Sequence, residues 1–114
     1  MSLLTLTTSE EVDAVRVALS GELDLSSALT FDEELRRIEE TADPNTLVLD
    51  LGGLKFLDST GLRLILSAHV RATRRGRKLR ILAGSTAVRR IFQLTGVFDR
   101  LDIVDNAAGS ATPR

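Results

Sequence analysis

Apolar and polar residues alternate from Leu3 to Thr7 and again from Ala14 to Leu19, where Val15, Val17 and Leu19 take every second position. That is the period of half-buried strands, and the polar stretch from Thr8 to Asp13 is expected to join the two as a hairpin. After Gly21 the period changes. From about Ser26 to Thr41, Leu29, Leu35 and Ile38 fall at helical spacing, with Ser26, Ser27 and Thr30 as candidate caps and Thr30 with Glu33 in capping-box spacing. Asp43, Pro44 and Asn45 break this helix. Thr46 to Leu51 follows, and its Leu47, Val48, Leu49 run has almost no polar interruption, as expected of a central strand buried on both faces.

Gly52 and Gly53 are expected to open a loop that runs through Leu54, Phe56 and Leu57 to Asp58. A second helix starts at Ser59 or Thr60 and reaches about Arg75, with Gly76 as its stop. Lys78 to Ala83 reads as a strand. Ser85 caps a third helix carrying Val88, Ile91, Phe92 and Leu94, Gly96 ends it, and Leu101 to Val104 forms a last strand. The order predicts an α/β fold: a mixed β-sheet opened by a β-hairpin, with right-handed crossovers packing helices against it. Residues 1–105 are expected to form a single domain. Residues 106–114, rich in Ala, Gly, Ser and Thr, read as a flexible C-terminal tail.

Composition narrows the functional classes. At 114 residues, 43% hydrophobic and 27% charged, the chain resembles ordinary globular domains rather than disordered or membrane proteins. It has no cysteine, so disulfides, thiolate metal sites and cysteine nucleophiles are excluded, and a reducing cytoplasm is the expected setting. Glu10, Glu11 and Asp13 near the start, with no basic region before an apolar block, argue against a signal peptide, and no apolar run suits membrane insertion. A net charge of −1 gives no reason to expect direct nucleic-acid binding. The charge is unevenly placed, however. Asp32, Glu33, Glu34, Glu39 and Glu40 form an acidic segment, and Arg71, Arg74, Arg75, Arg77, Lys78 and Arg80 a basic one, which read as two solvated helix faces.

Enzyme chemistry finds little support in these residues. His69 is the only histidine; without a second imidazole or carboxylates at ligand spacing it suits neither a metal site nor a catalytic base. Neither Gly76, Arg77, Lys78 nor Gly52, Gly53 completes a phosphate-binding loop. Asp50 ends an apolar run, where receiver domains of two-component systems place a phosphate acceptor. The acidic pair after the first strand and the late lysine that such a site requires are missing, so Asp50 is expected to bond backbone groups of the following loop. No cofactor is implied.

What remains is Asp58, Ser59, Thr60 and Gly61 at a helix start. Asp58 or Ser59 serves as an N-cap in one reading. In the other, Ser59 is also a hydroxyl exposed to a kinase, and a phosphate there adds roughly 1.5 to 2 negative charges to a partner-binding face. Leu62, Leu64, Ile65, Leu66 and Ala68 spread over more of the helix than one stripe requires. Leu62 and Leu66, one turn apart, therefore either form an exposed apolar ridge beside Ser59 or lie beneath a neighbouring helix.

These residues resemble the STAS domain family and, within it, the stand-alone bacterial anti-sigma factor antagonists. The resemblance runs from about Leu3 to Val104. It rests on Gly21, Glu22, Leu23, Asp24, on Leu49, Asp50, Leu51 and Leu54 leading to Phe56 through Leu62, and on Leu94, Thr95, Gly96. It implies that Ser59 is phosphorylated by an anti-sigma factor with serine kinase activity, that Asp58, Thr60 and Gly61 shape its loop, and that Asp24 in the neighbouring loop helps engage the kinase. The unphosphorylated antagonist would capture that partner and free a sigma factor, and a serine phosphatase would restore the serine. Catalysis, ATP and magnesium would belong to the partner. A constitutive STAS adaptor of a transporter or sensory complex, with Ser59 only a cap, is the alternative. The longer C-terminal helix common in the family has no counterpart among residues 106–114.

Overall fold

A computed structural model describes residues 3–104, so the segment read as a C-terminal tail lies outside the described residues. The chain runs β1 (Leu4–Glu11), β2 (Ala14–Leu23), α1 (Ala28–Ala42), β3 (Thr46–Leu57), α2 (Ser59–Arg74), β4 (Lys78–Leu82), α3 (Thr86–Leu94), a 3-10 turn (Phe98–Arg100) and β5 (Asp102–Val104). The sheet order is β1-β2-β3-β4-β5, with β1 antiparallel to β2 and every later pairing parallel. Right-handed crossovers that always step to the next strand bring all three helices to one face. Burial follows that geometry: Val15, Val17 and Leu19 on β2, Leu47, Leu49 and Leu51 on β3, and Leu79 and Ile81 on β4 are buried, while the residues between them are at most half-buried. β3 is thus covered on one face rather than two, because an ordered walk across the sheet leaves no crossover for the other side.

Three strand boundaries differ from the pattern-based expectation. β1 continues to Glu11, and the hairpin closes through Val12 and Asp13 alone, Glu11 pairing with Ala14. As an edge strand it needs only backbone pairing, so polar side chains extend it without penalty. Gly52 and Gly53 lie inside β3 rather than in a loop, and the pairing of β2 with β3 shifts between Ala18 and Ser20 and again between Gly21 and Glu22. These irregularities carry both strands on to Leu23 and Leu57. In α1, Phe31, Leu35, Ile38 and Glu39 are buried, whereas Leu29 is 69% exposed and not part of the packing stripe.

α2 ends as expected. Gly76 adopts φ +70° and the Arg77 N–H donates to the Ala72 carbonyl at 2.8 Å, closing the last turn. Ser85 caps α3, its hydroxyl accepting from the Val88 N–H at 3.2 Å.

The two charged segments are not simply solvated faces. Arg71 on α2 makes a two-pronged contact with Glu39 on α1, Nε to Oε1 and Nη2 to Oε2, each at 2.8 Å. Arg77 adds a bond to the Glu39 carbonyl at 3.2 Å and pairs with Asp43. Side-chain exposure at the Arg71–Glu39 pair is only 16% and 9%, and the hydrogen bond to Glu39 raises the Arg71 pKa above its ordinary value. Removing one member of such a pair leaves an uncompensated charge. Glu39→Ala should therefore lower unfolding stability by about 3 kcal/mol in urea titrations. An effect as small as that of an exposed pair would show that Arg71 finds solvent instead.

Candidate functional site

Parallel pairing sets Leu23 opposite Leu57, so the segments that leave β2 and β3 emerge side by side at the C-terminal ends of their strands. Asp24 follows one and Asp58 the other, which is how residues 34 positions apart reach one site. The Asp58 N–H donates to the Leu23 carbonyl at 3.2 Å. At Gly61, a Cβ would stand 2.7 Å from Leu23 Cγ, 2.8 Å from the Leu23 carbonyl oxygen and 2.8 Å from Leu57 Cδ1. Only glycine lets the first turn of α2 approach these strand ends so closely.

Asp58 is the N-cap of α2. Its Oδ1 accepts from the Gly61 N–H at 2.9 Å and its Oδ2 from the Leu25 N–H at 3.1 Å. One carboxylate therefore satisfies an orphan donor of the helix and also pins the β2–α1 loop. That loop has its own internal bracing. Asp24 Oδ1 accepts from the Ser26 N–H at 3.0 Å and the Ser26 hydroxyl at 2.7 Å. The buried Ser27 hydroxyl accepts from the Asp24 N–H at 3.0 Å and donates to the Glu22 carbonyl at 2.8 Å. Ser27 occupies the cap position of α1 but makes no side-chain bond to the helix, because its hydroxyl is turned back into the loop.

With the cap assigned to Asp58, Ser59 is the first residue of α2, exposed, and its hydroxyl has no hydrogen-bond partner among the described residues. Thr60 beside it is half-buried. Of the two readings of Leu62 and Leu66, the exposed ridge is absent: Leu62 is buried in the core, and Leu66 is half-buried against it. Exposed apolar surface lies elsewhere. Leu25 is 75% and Leu29 69% exposed, and with Ala28, Asp32, Thr60 and Leu64 they line an open recess of about 340 Å³ that borders the start of α2. The sequence pattern does not reveal this recess, because Leu25 sits in a loop, where no periodicity marks it, and Leu29 has the spacing of the core stripe of α1.

Asp50 lies within β3 rather than at its end, and it accepts from the Gly52 N–H of the same strand at 2.8 Å and from Arg16 at 2.8 Å and 3.2 Å. His69 is half-buried on α2. No group of three or more potential metal ligands occurs among the described residues.

Asp58→Ala removes both contacts at once. It should lower stability by about 1–2 kcal/mol, the range of a lost N-cap, and speed hydrogen exchange at the Leu25 and Gly61 amides together. Faster exchange at Gly61 alone would show that the loop is held by something other than this carboxylate.

Comparison with known proteins agrees with this architecture. The STAS domain model matches residues 5–109. An anti-sigma F factor antagonist of Paenibacillus polymyxa is 30% identical over 100 residues, spanning 84% of this chain and 82% of that protein. An anti-sigma-B factor antagonist of Bacillus subtilis is 30% identical over 96 residues, 83% of this chain and 85% of its own. Among solved structures, an anti-sigma factor antagonist from Mycobacterium paratuberculosis superposes with a TM-score of 0.79 at 25% identity, covering 89% of this chain and 85% of that one. With the sheet, the crossovers and the sequence in agreement along most of its length, the chain belongs to the STAS domain family.

Proposed function

We propose that this chain is an anti-sigma factor antagonist whose grip on its partner is set by phosphorylation of Ser59. The observation that carries the proposal is the division of labour at the start of α2: Asp58 does the capping, so the Ser59 hydroxyl is exposed and bonded to nothing that modification would disrupt. The partner in this reading is an anti-sigma factor with serine kinase activity, which brings the ATP and magnesium. A serine phosphatase resets the residue. The names of the relatives at 30% identity support the class of partner. The chain itself is the kinase's substrate, working in the cytoplasm, and no helix among the described residues is long and apolar enough to cross a membrane.

The switch follows from desolvation. In the unmodified state the partner covers Ser59 together with the recess of Leu25, Leu29 and Leu64, with the Asp24 loop at its border. Burying a phosphate in that interface strips hydration that even a neighbouring cation does not fully replace, and a cost of ~3 kcal/mol weakens binding more than a hundredfold. Thr60 and Gly61 take part by fixing the helix start, Leu62 by anchoring it in the core; Leu66 lies a full turn further along.

Incubation of the purified chain with its anti-sigma factor kinase and ATP should place one phosphate on Ser59, read by mass spectrometry of the peptide. Phosphate only at other residues, or none, removes the assignment. In binding assays with the same partner, Ser59→Ala should retain capture while Ser59→Asp weakens it at least tenfold, the mimic carrying less charge than phosphate. Equal affinities would point instead to a constitutive adaptor.

A further inference from the structure

Exposed arginines on α1 follow a simple rule. Arg36 pairs with Asp32 four residues earlier at 3.1 Å, and Arg37 with Glu34 three residues earlier at 2.6 Å. Each is an acid placed N-terminal to its base on a helix surface, the favoured orientation for such pairs. On α2 the corresponding position is unfilled. Arg63 is exposed and forms no ion pair or side-chain hydrogen bond among the described residues, and the residue four positions before it is Ser59.

We propose that Arg63 is the resident counter-ion of a phosphate on Ser59, so that modification completes on α2 the same i, i+4 pair that Asp32 and Arg36 form on α1. The inference rests on the reading of Ser59 as the modified residue and deepens it. The Asp32–Arg36 contact establishes that a guanidinium spans one helical turn to an anion at this spacing, and a phosphoserine side chain is longer than an aspartate. Other charges around Ser59 leave the role to Arg63. The Asp58 carboxylate faces two backbone N–H groups, Asp24 is engaged within its own loop, and Asp32 is paired with Arg36. Lys55, exposed on β3, is the other cation close in sequence, but it lies on a strand with no helical spacing to Ser59.

Arg63 has two effects in this arrangement. It holds the phosphate along the first turn of α2 rather than leaving it free in solvent. It also favours loss of the second phosphate proton, whose ordinary pKa is about 6, so the modified residue carries its full charge at neutral pH.

The test uses phosphoserine inserted at position 59 during synthesis, which makes it independent of any kinase, and follows the phosphate by ³¹P NMR as pH is varied. Arg63→Ala should raise the titration midpoint by about 0.2–0.7 pH unit, the shift that an exposed ion pair supports. Arg63→Lys should lie between the two. The difference should shrink in 1 M salt, since an exposed pair is screened. Coincident midpoints for the parent and Arg63→Ala, or a difference indifferent to salt, would overturn the proposal. Failure of the kinase to modify Ser59 is a separate result: it removes the functional reading but leaves this titration intact.

Discussion

The two oxygens of the Asp58 carboxylate accept backbone N–H groups from segments that sequence separates by 36 residues, Leu25 in one loop and Gly61 in the helix. Everything at the site depends on that sharing. A longer acid at this position would displace one acceptor, and any side chain at position 61 would hold the helix away from Leu23 and Leu57. Charge-assisted bonds to backbone donors are strong and directional, so a single short acid suffices to fix where a loop ends and a helix begins.

A second tie works at the far ends of the same two helices. α1 and α2 are joined through the Asp58–Leu25 contact near their starts and through the Glu39–Arg71 pair, with Arg77 behind it, near their ends. Between them lies the apolar layer of Phe31, Leu35, Ile38, Leu62, Ile65 and Ala68. The sequential crossovers put all three helices on one side and deliver the β2–α1 and β3–α2 connections together at the C-terminal ends of β2 and β3, the end at which open α/β sheets carry their ligands. The site is therefore a product of topology as much as of residue type.

Much of this was legible in the sequence, and the gaps have physical causes. Val15, Val17 and Leu19 announced their strand because one face of it is buried. Ser85, Gly76 and Gly96 marked helix ends because caps and left-handed turns restrict residue choice locally. The Asp58–Gly61 run stood out for the same reason. By contrast, Gly52 and Gly53 suggest a turn to any local rule, and only the irregular pairing with β2 shows that the strand passes through them. Leu29, expected on the core stripe, is exposed, and of the two readings left open for Leu62 the buried one holds: the helix stripe that meets the core is selected by how α1 and α2 sit on the sheet, which periodicity alone leaves open. The Glu39–Arg71 pair was hidden because each partner lies within a run of like charges, and nothing local singles out which member of a run is turned inward.

One consequence of the unbonded Ser59 hydroxyl concerns time rather than affinity. A group added to this oxygen breaks no existing bond of the fold, and its removal leaves none to be rebuilt. On the proposed reading of Ser59, the fold would add no lag of its own, and the interval between one state and the next would be set by the proteins that add and remove the group.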